Sequence, residues 1–280
     1  MGTMDGKVCV VTGANTGIGK ATAAGLARLG ATVVMACRDV AKGEAARAEV
    51  AAETGSDTLR VMRLDLGSTA SVREFVTEFE RGYDRLDALV NNAALSPLAR
   101  SVNDEGRETQ LAVNHLGPFL LTRLLLPRLR ASAPSRVVVV SSAVHKQGRV
   151  DFDDLHSERG YVGLRVYANT KLMNLLFTRA LARRLEGTGV TVNALHPGVV
   201  ATELVRDFPK AARWFVSRVF MTPEKGARTS VFLASDPSVE GVSGRYYVKS
   251  REARVSAAAR DDAMAERLWA LSSEMVGMEA

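Results

Sequence analysis

Val8-Cys9-Val10-Val11-Thr12 is an apolar, largely β-branched run that stops at Gly13. The turn Gly13-Ala14-Asn15-Thr16-Gly17-Ile18-Gly19 follows, and an Ala-rich helical stretch runs from Lys20 to Leu29. Strand, glycine turn and helix in that order make a phosphate cradle. The glycines let backbone N–H groups approach a pyrophosphate, and the positive helix N-terminus favours its charge. Gly13, Asn15, Thr16, Gly17, Ile18 and Gly19 are therefore candidate ligands of a dinucleotide. Their spacing is G-x-x-x-G-x-G, which departs from the generic G-x-G-x-x-G.

The rest of the chain repeats the alternation. Short β-rich runs at 7–12, 31–37, 58–64, 86–91, 135–141, 189–195 and 244–248 are separated by longer helical patterns. Those patterns cover about 18–29, 40–53, 69–81, 109–130, 164–186, 224–234 and 258–276. Continuous apolar strands between helices predict a Rossmann-type α/β fold: a doubly wound parallel sheet of about seven strands covered on both faces. At 280 residues, with no repeat, low-complexity tract or linker, one domain is expected. Residues 5–130 would form mainly the dinucleotide-binding half, 131–250 the catalytic and substrate half, and 251–280 a C-terminal helix.

Composition narrows the function classes. The formal charge of +6 is spread over helical faces among acids, without the clustering that a nucleic-acid surface needs. The two cysteines, Cys9 and Cys37, have no C-x-x-C spacing, and the four histidines have no H-x-x-x-H spacing. No catalytic metal is expected, and the cysteine usage suits a reducing, cytoplasmic location. The first strand begins near Lys7 and no apolar run reaches the roughly 20 residues that span a bilayer. No signal peptide or membrane anchor is expected.

Cofactor choice falls at the end of the second strand, which in this fold faces the adenosine ribose. Cys37-Arg38-Asp39 stands there. The planar Arg38 guanidinium suits a 2′-phosphate, and Lys20 and Lys42 add positive charge. Asp39 would favour NAD as a ribose ligand, but it immediately precedes a helix and reads as its N-cap. NADP is the expected cofactor.

Tyr167 and Lys171, four apart on a predicted helix, point to one side. A carbonyl receiving a hydride must also receive a proton, and an alcohol being oxidised must lose one. A phenol does either once its pKa falls from about 10 toward about 7, which needs roughly 4 kcal/mol of differential stabilisation. A neighbouring ammonium in a partly dry pocket, helped by the positive nicotinamide of the cofactor, is expected to supply it.

The glycine turn, Asn91-Asn92-Ala93-Ala94, Tyr167-Ala168-Asn169-Thr170-Lys171 and Pro197-Gly198 occur in the order found in the short-chain dehydrogenases/reductases, a family this chain resembles over nearly its whole length. Ala36-Cys37-Arg38-Asp39, Val113-Asn114-His115-Leu116-Gly117, His196-Pro197-Gly198-Val199-Val200 and Ala258-Ala259-Arg260-Asp261-Asp262 resemble its retinol-dehydrogenase-like branch. The resemblance implies a nicotinamide-dependent oxidoreductase acting on a carbonyl or alcohol. It implies that Ser142 holds the substrate oxygen, with Ser141 as the alternative, and that Asn114 holds a water on the proton path. Lys171 would also bind the nicotinamide ribose. Asp65 and Leu66 would meet the adenine, and Asn92 and Ala93 would lie against the cofactor. Pro197, Gly198, Val200 and Thr202 would line the nicotinamide.

Thr170 stands where the family usually has serine before the lysine, which keeps the hydroxyl. Animal members of the branch often carry an N-terminal membrane segment, which is not expected here. Residues 203–221 mix Phe208, Trp214, Phe215, Val219 and Phe220 with Arg206, Lys210, Arg213 and Arg218. Such a segment fits a lid over a lipophilic aldehyde or ketone, or a peripheral membrane contact. Phe119 to Leu126 and Leu172 to Leu181 resemble the family's helical pairing surfaces and suggest a homodimer. The rival readings are a nucleotide-sensing regulator of the same fold and a light-dependent tetrapyrrole reductase. A sugar-nucleotide epimerase is disfavoured by length and glycine spacing.

Overall fold

Seven parallel strands form the centre of the computed structural model, which describes residues 2–198 and 221–279. They are β1 (Val8–Thr12), β2 (Thr32–Cys37), β3 (Leu59–Arg63), β4 (Ala88–Asn91), β5 (Ser135–Val140), β6 (Val190–His196) and β7 (Tyr246–Val248). The order across the sheet is β3-β2-β1-β4-β5-β6-β7, and a two-residue β8 (Arg251–Glu252) returns antiparallel on β7. The expected α/β doubly wound architecture is therefore present, with one more strand than the sequence pattern announced.

Side-chain alternation along each strand divides the core into two layers. Cys9 and Val11 of β1 and Val33 and Met35 of β2 face α1 (Gly17–Arg28), α2 (Val40–Thr54) and α7 (Pro223–Ser235). Val8, Val10, Val34 and Ala36 face the opposite layer. That layer holds α3 (Thr69–Gly82), α5 (Gly117–Ala131), α6 (Gly163–Arg184) and α8 (Asp262–Met275), with the short α4 (Thr109–Leu111) before α5. Every residue of β1 is buried, as a strand covered on both faces requires.

The single helix expected over 109–130 is interrupted. Between α4 and α5 the backbone forms a π-helical turn, Ala112–Leu116, and the Gly117 N–H reaches back five residues to the Ala112 carbonyl. Pro118 has no N–H to offer the Asn114 carbonyl four residues earlier, which helps to explain the wider turn. Gly117 allows α5 to touch the segment after β3: a Cβ there would lie 2.2 Å from the Leu66 carbonyl oxygen.

The chain's own C-terminal helix covers part of the expected pairing surfaces. Trp269 of α8 meets Phe119 edge-on at 5.0 Å and lies parallel to Phe177 at 6.1 Å. Arg184 and Arg123 place their guanidinium carbons 4.1 and 4.9 Å from the Trp269 ring centre. Arg179 closes the contact as a bidentate pair with Asp262, at 2.6 and 2.9 Å. The apolar faces read as dimer surfaces thus pack, at Phe119 and Phe177, inside one chain. Among the described residues no helix is long and apolar enough to cross a membrane.

Candidate active site

From β1 the chain crosses to β2 on one side, while β4 leads to β5 on the other, so a crevice opens at the carboxyl ends of β1 and β4. Ligands of open α/β sheets bind at such a switch point. The glycine turn sits there. Gly13 and Gly17 have φ of +65° and +53°, values that favour glycine. A Cβ on Gly19 would lie 2.2 Å from the Gly13 carbonyl oxygen and 2.5 Å from Asn92 Nδ2. Thr16 is the N-cap of α1, yet its side chain makes no capping hydrogen bond. The first N–H groups of a 12-residue helix are thereby left for another acceptor. Asn15 and Ile18 are half-buried in the same turn.

Behind the turn stands Thr12, a residue the sequence reading missed. Its buried hydroxyl accepts from the N–H groups of Asn92 (2.9 Å) and Ala93 (3.0 Å). Asn92 in turn donates its amide to the Thr12 carbonyl at 2.8 Å. The amide expected against the cofactor is therefore engaged in bracing β1 to the segment after β4. Asn91 is structural in the same sense, donating to Thr122 at 2.8 Å. Nothing local marks Thr12 except its place at the end of a buried strand before the glycines.

At the second strand, Asp39 is the N-cap of α2, accepting from the Lys42 N–H at 3.1 Å. That bond and the Lys42 ammonium hold its carboxyl below the usual range. Lys42 is paired with Asp39, and Lys20 with Glu49 at 2.5 Å. Of the three expected cations, exposed Arg38 alone has no ion pair among the described residues. Asp65 accepts from the Gly67 N–H at 2.9 Å, forming a turn, while Ser68 caps α3. The Leu66 side chain is in the core, so only its backbone is available to a ligand.

The catalytic candidates converge from β5, the π turn and α6. Lys171 is buried and donates to the Val140 carbonyl at 3.0 Å, with its Nζ 5.2 Å from the Tyr167 ring centre. Ser141 points inward and donates to the Lys171 carbonyl at 2.8 Å. Alternation then leaves Ser142 half-buried at the strand end, where it caps a 3₁₀ turn, Ala143–Gln147. Asn114 is fully buried. Its Oδ1 accepts from the Leu95 N–H and its Nδ2 donates to the Leu95 carbonyl, both at 2.8 Å, with Thr170 Oγ1 at 3.2 Å. The amide is engaged at both ends, and Pro118 has no N–H to offer the Asn114 backbone carbonyl.

Electrostatics at the pair differ from the expectation. Burial pushes the Tyr167 phenol up to about 12 and pulls the Lys171 ammonium down to about 8. Removal from water favours the neutral form of both groups. The ammonium is aimed at the Val140 carbonyl rather than the phenol, so by itself it does not lower the tyrosine's pKa.

His115, in the π turn, is structural. Burial lowers its pKa to about 4, and Nε2 lies 2.8 Å from Ser272 Oγ on α8. Gly198, after Pro197 at the end of β6, has φ of +95° and lies against Met221. Val200, Thr202 and the candidate lid up to Phe220 lie outside the described residues.

Comparison with known proteins gives this site its class. The sequence profile of the short chain dehydrogenases matches residues 7–213. The chain belongs to the short-chain dehydrogenase/reductase family of nicotinamide-dependent oxidoreductases, in its retinol-dehydrogenase-like branch. It is 48% identical to retinol dehydrogenase 14 of Homo sapiens, covering 99% of this chain and 88% of that one. Retinol dehydrogenase 12 of Homo sapiens is also 48% identical, over 98% of this chain and 88% of its own. Among solved structures, an uncharacterized protein from Mycobacterium paratuberculosis superposes with a TM-score of 0.80 at 37% identity, covering 98% of this chain and 95% of that one. The RhlG/NADP active-site complex of Pseudomonas aeruginosa gives 0.72 at 27% identity, covering 86% and 94%.

Proposed function

We propose that this protein is an NADP(H)-dependent reductase of lipophilic aldehydes or ketones, with Tyr167 as proton donor. The observation that carries the reading is the pair of half-buried Tyr167 and fully buried Lys171 on one side of α6, tied to the ends of β5 and the π turn. Gly13, Gly17 and Gly19 would cradle the pyrophosphate at the uncapped end of α1, and Arg38 would take the 2′-phosphate. Asp65 would face the adenine side. Pro197, Gly198 and the backbone of Ala93 would border the nicotinamide.

NADPH, when bound, would supply the hydride. Ser142 orients the substrate oxygen. Tyr167, neutral over the whole physiological range, donates a proton to the oxygen as negative charge develops on it. The resulting phenolate would lie on the side of α6 that carries the Lys171 ammonium, and Asn114 would support proton return through the backbone carbonyl that Pro118 cannot bond. Burial keeps the phenol in its protonated, donating form near neutrality, which is the form carbonyl reduction uses.

The pH dependence follows. Reduction should be flat below about pH 8 and fall above it as Lys171 loses its proton, while alcohol oxidation, which needs the phenolate, should rise with pH. Initial rates in both directions from pH 6 to 10 check this. Oxidation that declines with pH would remove Tyr167 as the base.

Support for a lipophilic substrate comes from the entrance to the crevice. Leu98, Val162 and Leu164 are 69%, 47% and 65% exposed, high values for large apolar side chains. Leu164 lies three residues before Tyr167 on α6, and a Cβ on Gly163 would meet Leu98 Cα at 3.1 Å, so the loop and helix start are adjacent. The retinol-dehydrogenase relatives are consistent with such a substrate. Two free, buried cysteines suit a reducing compartment, and we place the activity in the cytoplasm.

The direct test is NADPH consumption, with NADH in parallel, against aliphatic, aromatic and isoprenoid aldehydes and ketones. NADPH-preferring turnover is expected. Arg38→Ala should raise the KM for NADPH by about tenfold to a hundredfold, the equivalent of losing a charged hydrogen bond, and leave NADH unchanged. Preference for NADH in the wild type would overturn the assignment of Arg38.

A further inference from the structure

His145 is fully buried in the 3₁₀ turn that begins at Ser142. Its Nδ1 lies 2.7 Å from the Ser142 carbonyl oxygen, and its Nε2 accepts from the Ser256 backbone N–H at 3.3 Å. A carbonyl can only accept and a backbone N–H can only donate, so the partners fix a neutral ring protonated on Nδ1. The ring also meets Tyr246 of β7 edge-on at 5.2 Å.

The two partners belong to different parts of the molecule. Ser142 closes β5, and its Oγ has only a long 3.4 Å contact with the Val144 N–H. The hydroxyl is thus not locked by its own hydrogen bond, and its direction depends on how the Ser142 peptide is held. The same carbonyl also accepts from the His145 N–H at 3.2 Å, so His145 holds that peptide through two donors. Ser256 lies between β8 and the 3₁₀ turn Ala258–Arg260, which leads into Asp261, the N-cap of α8. The imidazole therefore spans from the strand end that presents Ser142 to the segment that docks the C-terminal helix.

We propose that His145 is a positioning residue for Ser142, orienting it by clamping the serine turn to the C-terminal segment at Ser256. The inference rests on the role given to Ser142 above. It concerns a residue that touches neither substrate nor cofactor in that mechanism.

A double-mutant cycle separates positioning from general support. His145→Phe keeps an aromatic ring against Tyr246 but leaves both the Ser142 carbonyl and the Ser256 N–H without the imidazole. Its kcat should fall at least about tenfold, since misplacement by about 1 Å costs up to about a hundredfold, while NADPH Kd stays within about twofold. His145→Asn restores an N–H near the Nδ1 position and should recover most of the turnover. In a Ser142→Ala background, His145→Phe should cost nothing further in kcat.

An equal further loss in that background would overturn the proposal, because His145 would then act independently of Ser142. So would unchanged kcat in His145→Phe, or a parallel loss of NADPH binding, which would mark a structural role. If Ser142→Ala alone retains wild-type turnover, the assignment of Ser142 falls and takes the proposal with it. If wild type shows no carbonyl reduction while binding NADPH, the proposed function fails before His145 is tested.

Discussion

Tyr167→Phe is expected to lower kcat for carbonyl reduction by about 10² to 10⁴, the contribution typical of a positioned general acid. That range is about 3–5 kcal/mol of barrier. The substitution removes one oxygen and keeps the ring, so the 5.2 Å approach of the Lys171 ammonium to the ring face is retained. The cofactor cradle is built from β1, α1 and the segment after β4, and the hydrogen bonds that join Thr12 to Asn92 and Ala93 do not use the phenol. NADPH Kd should therefore stay close to the wild-type value while turnover collapses. Single-turnover reduction beside a fluorescence titration of NADPH separates the two. Retention of more than about a tenth of the wild-type kcat would show that the proton comes from elsewhere.

The separation between chemistry and cofactor binding has a counterpart in what the sequence reveals. Strand positions were legible because seven apolar runs are short, continuous and punctuated. The two residues of β8 carry no such pattern, and they pair only because the turn at Lys249 and Ser250 brings them back on β7. Within 109–131 the apolar period looks helical throughout, so the π turn is hidden. Gly117 and Pro118 were its local signals, but the contact that gives Gly117 its role is with Leu66, far away in sequence.

The same limit applies at the site. Choosing Ser142 over Ser141 rests on the family resemblance, and Ser141 itself donates inward to the Lys171 carbonyl. Asn92 was harder, because its partner Thr12 is 80 residues earlier. Periodicity also identifies that Phe119 and Phe177 lie on apolar helix faces without saying what covers them. A second subunit and α8 would leave the same pattern, and in this chain Trp269 of α8 packs on both rings.

Gly19→Ala should nearly abolish cofactor binding, and its effect runs opposite to helix propensity. Gly19 lies within α1, where alanine would ordinarily be favoured by about 1 kcal/mol. Here the new Cβ would stand 2.2 Å from the Gly13 carbonyl oxygen, 2.8 Å from its carbon and 2.5 Å from Asn92 Nδ2. Two of those atoms are backbone, and Asn92 is itself held to Thr12 at 2.8 Å, so the neighbours cannot yield without opening the brace. Relief must come from α1 moving away from the glycine turn, which misdirects the N–H groups that the pyrophosphate would use. The expected result is an NADPH Kd raised at least about a hundredfold, or about 2.8 kcal/mol, with about 1–3 kcal/mol of folding stability lost to overpacking. Gly82→Ala is the matched control: it ends α3, a Cβ there meets nothing within 4 Å, and it should leave NADPH binding unchanged and Tm equal or higher. If Gly19→Ala binds NADPH as the wild type does, the pyrophosphate does not sit on this turn.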